Sequence, residues 1–210
     1  MKRYVLCIKI GSGQLAQEVE DFRGRVEDKF PELTSEKYPV DLYHVNMLTF
    51  VLPGSVALDI LIDRIQDRID EMEEALVPIH IIRVAHHECS HSIKAHMDIS
   101  PIITNIRKLF IREVSKMGGA AWCSEDWLGW NKYLTIYQSF PGSQKTAIFQ
   151  DASRMFKPRY EVDYISDLHI CDITTSDPLL DTVDRTVDSW SSCVKTLILD
   201  YDACPEVVNK

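Results

Sequence analysis

Apolar residues in this chain recur at two periods that take turns along its length. From Arg3 to Ile10 the chain is mostly apolar and reads as a strand, and Gly11-Ser12-Gly13 supplies a turn. Leu15, Val19, Phe22, Val26 and Phe30 then follow at helical spacing, which predicts an amphipathic helix ended by Pro31. A strand spans Val40 to Leu52 and closes at Pro53-Gly54. Val56, Ile60, Ile65, Ile69, Met72 and Leu76 predict a second long helix, with Asp59, Asp63, Arg64, Asp67, Arg68 and Glu71 on its solvated face. Pro78 to Val84 and Ser92 to Met97 read as a strand pair, leaving His86 to His91 at the hairpin tip. Ile99, Ile103, Ile106, Phe110, Val114 and Met117 predict a third helix, stopped by Gly118-Gly119. A strand over Trp130 to Tyr137, a short helix over Gln144 to Met155, and strands over Tyr160 to Ile173 and Ser192 to Tyr201 complete the pattern. Strand, helix, strand thus occurs twice, which predicts a duplicated α+β arrangement with two sheets meeting at a cleft.

The chain has 210 residues and is 45% hydrophobic, enough for a full core, and without a Pro/Gly/Ser-rich linker it reads as one domain over residues 1–210. The net charge of −9 argues against sequence-independent binding to long nucleic acids, whose affinity comes from clustered Lys and Arg. A small anionic ligand in a local pocket is compatible with that charge. The apolar N-terminal stretch is broken by Lys9 and reads as a strand rather than a signal peptide, and nowhere do eighteen apolar residues run together, so no membrane span is expected. Six cysteines without a CxxC spacing point to reduced thiols and a cytoplasmic or nuclear setting.

Two of the strands carry a repeated pattern of ring, apolar residue, small hydrogen-bonding residue. These are Tyr43-His44-Val45-Asn46-Met47 and Lys132-Tyr133-Leu134-Thr135-Ile136. Strand side chains alternate faces, so His44 and Asn46 share one face, and Tyr133 and Thr135 share another. Side by side, the two strands present two rings and two hydrogen-bonding groups to one phosphate, a plan for general acid–base chemistry on phosphodiesters.

The motif pair resembles that of the 2H phosphoesterase superfamily, which includes the LigT-type enzymes. Its nearest likeness is the phosphoesterase-like domain of the A-kinase anchoring protein family. The opening strand Tyr4 to Ile10 and the later strand Ile165 to Cys171 are similar to that branch as well, so the resemblance runs from about Arg3 to Thr174. It implies an α+β, duplicated LigT-like fold, two antiparallel sheets forming a central cleft with helices packed outside. It also implies a phosphodiesterase that needs no metal or other cofactor, with His44 and Tyr133 at the catalytic positions and Asn46 and Thr135 holding phosphate. The expected ligand is a nucleotide or an RNA-end phosphate, with a 2′,5′- or 2′,3′-cyclic-type linkage as substrate if turnover survives.

Both motif copies depart from the pattern. Asn46 stands where a threonine is expected, and Tyr133 stands where the second histidine belongs. A phenol with an ordinary pKa of about 10 is a poor base at neutral pH, although it can donate a hydrogen bond. Loss of one positioned acid–base group costs about 10²–10⁴-fold in rate. The chain therefore reads as a nucleotide-binding cleft with weak or no turnover, and the rival reading is a catalytically inactive scaffold for a protein partner. His169, in His169-Ile170-Cys171, is an alternative second histidine. The run His86-His87-Glu88-Cys89-Ser90-His91 has zinc-type side chains, and on an extended chain His87, Cys89 and His91 would share a face. The run is local and lacks a separate second ligand pair, so a solvated hairpin is expected and no metal. Lys94 and Lys132 are candidate sources of positive charge, and Trp122, Trp127 and Trp130 are candidates for base stacking.

Overall fold

The computed structural model describes residues 1–11, 13–71, 77–88, 91–122, 132–138, 145–159, 161–174 and 193–199. The strands are β1 (Lys2–Lys9), β2 (His44–Leu52), β3 (Pro78–His87), β4 (Ser92–Ile99), β5 (Ala120–Trp122), β6 (Tyr133–Gln138), β7 (Asp163–Tyr164), β8 (Asp167–Asp172) and β9 (Cys193–Ile198). The helices are α1 (Gln14–Lys29), α2 (Ser55–Asp70), α3 (Pro101–Lys116) and α4 (Thr146–Ser153).

All the strand pairs are antiparallel and follow one path, β7-β3-β4-β6-β2-β1-β8-β9, with β5 also pairing to β2. The path is a palindrome in layout. β1–α1–β2–α2 in one half corresponds to β4–α3–β6–α4 in the other, and β2 meets β6 in the middle. The α+β duplication expected from the sequence is therefore present. Its two sheets are two lobes of one path, joined where Val45 of β2 faces Leu134 of β6.

One face of this sheet is apolar and carries the helices. Tyr4, Leu6 and Ile8 of β1, Val45, Phe50 and Leu52 of β2, Ile93, Ala95 and Met97 of β4, and Leu134 and Ile136 of β6 pack there. Against them lie Leu15, Val19, Phe22 and Val26 of α1, Leu61 and Ile65 of α2, and Ile103, Ile106, Phe110 and Val114 of α3. On α1 and α3 this is the spacing the sequence showed, and burial of these side chains drives the association; on α2 the buried face is Leu58, Leu61, Ile65 and Ile69, while Val56 and Ile60, expected on it, are 71% and 42% exposed.

The helix ends are fixed by specific chemistry. Ser100 accepts the Ile102 N–H at the start of α3, with Pro101 at the first helical position. At its far end Gly118 adopts φ +71°, a left-handed conformation suited to glycine. α1 is capped from a distance, because the Asp163 carboxylate accepts the N–H groups of Gln14 and Leu15 at 3.2 and 2.9 Å. A side chain on Gly13 would overlap that carboxylate and displace it from the start of the helix.

Several expected boundaries moved. Residues Val40–Leu42 form a 3₁₀ turn, with the N–H of Leu42 donating to the Pro39 carbonyl, and the strand begins at His44. The single strand expected over Tyr160 to Ile173 is two, because the Ile165 N–H donates to the Val77 carbonyl at the edge of β3 before the chain crosses to β8 beside β1. That crossing curls the sheet towards itself. β3 runs on through His86 and His87, so these residues belong to a strand and not to the hairpin tip. Met72 and Leu76, expected to extend α2, lie outside the described residues. Among the described residues no helix is long and apolar enough to cross a membrane.

Candidate functional site

The opposite face of the sheet carries the polar side chains of both motifs. Antiparallel pairing of Val45 with Leu134 sets His44 beside Thr135 and Asn46 beside Tyr133. On the outer side of β6, Thr135 pairs with Lys94 and Tyr133 with His96 of β4. On the outer side of β2, Lys9 pairs with His44 and Cys7 with Asn46 of β1. Two neighbouring rows thus cross the middle of the sheet, Lys9–His44–Thr135–Lys94 and Cys7–Asn46–Tyr133–His96. Strands lie about 4.8 Å apart, so adjacent members of a row are within reach of one small ligand.

His44 is buried, 6% exposed, and its Nδ1 lies 2.7 Å from the Leu42 carbonyl oxygen. A carbonyl only accepts, so Nδ1 carries the proton and Nε2 keeps the lone pair of a base. Burial pushes the His44 pKa down from its usual value, against the opposing pull of the Leu42 carbonyl and the Asn46 side chain. The ring is therefore held neutral with a defined tautomer.

The strand beneath His44 is positioned from both halves of the molecule. β1 and β2 slip register between Leu6 and Cys7, skipping Met47. The Met47 carbonyl is taken up by the buried guanidinium of Arg107 on α3, whose Nε donates at 2.7 Å. Next to His44 in sequence, Tyr43 points the other way into the core. Its hydroxyl is 2.7 Å from Arg23 Nη1 and 2.9 Å from Glu20 Oε1, an anchor to α1.

Tyr133 is half-buried and sits in cationic company. Lys94 Nζ lies 3.8 Å from the centroid of its ring, a cation–π contact. The rings of His87 and His96 lie 5.6 and 6.4 Å away, centroid to centroid. Lys94 itself is 3% exposed, a lysine embedded in the sheet face next to Thr135. Lys132, the other candidate charge, is used structurally, since its Nζ donates to the Ile99 carbonyl at 3.1 Å.

His169 lies on the same face but one strand beyond β1, opposite Cys7. Its Nε2 is 3.4 Å from the Asp167 carboxylate, and its Nδ1 is 3.4 Å from the Thr196 hydroxyl. The His169 ring holds the Asp167 carboxyl below the usual carboxylate range. His169 is thus engaged on the β8–β9 side, while the position next to the motif strands in the other lobe is filled by His96. A cavity of about 380 Å³ opens beside His169, lined in part by Lys9, Asp163 and Asp167.

The histidine run resolves into separate roles. His86 turns to the helix side, where its ring meets Phe149 of α4 edge-on at 5.7 Å. His87 turns to the motif face, and its Nε2 is 2.9 Å from Nε2 of His96. His91 stands in a turn with φ 44°, so the extended alternation expected of His87 and His91 is broken there. Cys89 lies outside the described residues, among which no three His, Cys, Asp or Glu side chains are grouped to hold a metal ion. Trp122 is 48% exposed with the Arg3 guanidinium 5.4 Å from its ring centroid, whereas Trp127 and Trp130 lie outside the described residues.

Sequence reading weighed His87 only as a zinc-type side chain of the hairpin tip, and it did not place His87, His96 or Arg107 at the site. The hairpin register would have found the first two, since a strand continued through His87 places it on the Lys94 and His96 face.

No family model matches the chain, and no curated protein matches it in sequence. Solved structures do match in shape. E. coli LigT complexed with 3′-AMP superposes with a TM-score of 0.58 at 11% identity, covering 95% of this chain and 99% of LigT. The protein TT0787 of Thermus thermophilus gives 0.54 at 8% identity over 94% of this chain and 97% of its own. A third structure, described as a phosphoesterase, gives 0.53 at 10% identity over 82% and 88%. These likenesses establish the fold, which is that of the LigT-like 2H phosphoesterases.

Proposed function

We propose that on this LigT-like fold the polar face between β2 and β6 is a cleft for the phosphate of a nucleotide or RNA end, with weak or no phosphodiester turnover. One observation carries this reading. His44, Asn46, Tyr133 and Thr135 come from strands far apart in sequence, share one face, and adjoin a buried lysine, Lys94. Lys94, whose ammonium lies 3.8 Å from the Tyr133 ring centroid, brings a positive charge to this face beside Thr135, which favours an anionic ligand. LigT has been crystallised with 3′-AMP, NADP+, ATP and phosphate, which supports the same ligand class.

In this reading Thr135 and Asn46 donate hydrogen bonds to phosphate oxygens, and Lys94 balances their charge. Neutral His44 presents Nε2 as the base that removes a proton from an attacking water or ribose hydroxyl. Tyr133, next to Asn46, donates a hydrogen bond towards the leaving oxygen. A phenol releases its proton far less readily than an imidazolium, so the leaving-group step is slow and binding outlasts chemistry.

The test is titration calorimetry with 2′-, 3′- and cyclic nucleotides, with product analysis of each mixture, on the wild type and on His44→Ala and Thr135→Ala. The reading expects saturable binding weakened in both variants and slow or absent turnover. Silence in the wild type across the panel would move the weight to a protein-interaction scaffold.

A further inference from the structure

The face around Tyr133 holds two histidines that belong to neither motif. His87 of β3 and His96 of β4 are not register partners, as His87 faces Ser92 and Arg83 faces His96. Their rings meet across the intervening Ala85–Lys94 pair, where alanine leaves room and Lys94 has swung over Tyr133. The rings stack at 5.1 Å with an interplanar angle of 22°, and the two Nε2 atoms are 2.9 Å apart. At that distance one nitrogen donates and the other accepts, so the pair is already arranged to share a proton. Adding one proton turns this contact into a charge-assisted hydrogen bond, whereas a second proton would set two cations against each other. The pair is built to hold one positive charge.

We propose that the His87–His96 pair is a second anion contact of the cleft, taking up one proton as a nucleotide phosphate binds and so supplying from β3 and β4 the histidine that β6 lacks. The proposal rests on the reading of the cleft given above. His96 pairs in register with Tyr133, which in turn neighbours Asn46, so the pair stands on the far side of Tyr133 from His44. The groups facing it are Arg83 from β3, Lys94 from β4 and Tyr133 from β6. Asp98, farther along β4, lies 3.8 Å from His80. Burial first, then the electrostatic influence of Arg83, His87 and Lys94, brings the His96 pKa down to about 4. Without ligand His96 is therefore neutral near pH 6. A phosphate placed among these cations reverses the local field and favours the protonated pair. Binding then draws a proton from solvent, and affinity weakens as pH rises.

The probe is adenosine 3′-monophosphate, titrated at pH 6 and pH 8 in two buffers of different ionisation enthalpy, so that the protons exchanged on binding are counted. The phosphate's own second ionisation is common to every variant, so differences between variants isolate the pair. Wild type is expected to take up close to one proton more than His96→Gln at pH 6, and His96→Gln to bind about tenfold more weakly at pH 6 with a smaller loss at pH 8. His87→Gln leaves His96 in place but removes its proton-sharing partner, and it is expected to lower the uptake in the same direction. It carries the test if His96→Gln fails to fold. If wild type binds and both folded variants match it in affinity and proton count, the pair has no part in binding and the proposal falls alone. If wild type does not bind the probe at either pH, the cleft reading falls with it.

Discussion

Val45 and Leu134 face each other across the seam between β2 and β6, each at most 1% exposed, and their pairing joins the two lobes. Their apolar side chains lie on the helix side, so that the residues before and after them turn to the polar face. Leu134→Ala would leave a cavity at this seam and is expected to destabilise the fold by about 2–5 kcal/mol, read from urea unfolding. Phosphate affinity should fall further in this variant than in an equally destabilised one in the α1 core, such as Val19→Ala.

Arg107 holds the Met47 carbonyl where the β1–β2 register slips. Arg107→Met keeps much of the packing but leaves that carbonyl without its donor. A loss of about 1–3 kcal/mol is expected by chemical denaturation, and an unchanged midpoint would show that the carbonyl finds another partner.

Acid should weaken the fold through its neutral histidines. His44 and His96 both have lowered pKa values, that of His96 to about 4 against an ordinary 6.5. Between those values the unfolded chain binds more protons than the folded one, so stability rises with pH across the window and falls as pH drops from about 6.5 towards 4. Unfolding midpoints between pH 4 and 7 should follow that slope, and His96→Gln should flatten it. Asp167 and Asp172 have lowered values too and extend the loss below pH 4 in the same direction.

Tyr133→His puts an imidazole where the sequence resemblance expects a second histidine. Because Thr135, Lys94 and His44 already stand around it, the variant is expected to raise turnover of 2′,3′-cyclic nucleotides by about 10²–10⁴-fold over the wild type. Product analysis by chromatography reads this directly. Equal rates in both proteins would mean that the cleft lacks more than the second ring.

The two motif strands were legible because alternation fixes which residues of each strand share a face, and Tyr43, His44, Val45 and Asn46 alternate cleanly between core and cleft. Their meeting at a single seam was less so, since one registered pair leaves no mark on either strand's pattern. His87 was hidden for a different reason. Ala85, His86 and His87 carry no apolar alternation, so the end of β3 resembled a polar turn, although its residues continue the hairpin. Lys94 was noticed as a charge, but only the β4–β6 pairing shows that it faces Thr135 while Lys132 is spent on the Ile99 carbonyl. His169 lies on the right face, and its distance from the motif strands is a matter of strand order, which local sequence does not encode.

A crystal structure of the protein grown with adenosine 3′-monophosphate would locate the bound phosphate. It is expected between His44 and Tyr133, in contact with Thr135 and Lys94. A phosphate found instead in the cavity beside Lys9 and His169, with the β2–β6 face empty, would contradict the proposed cleft.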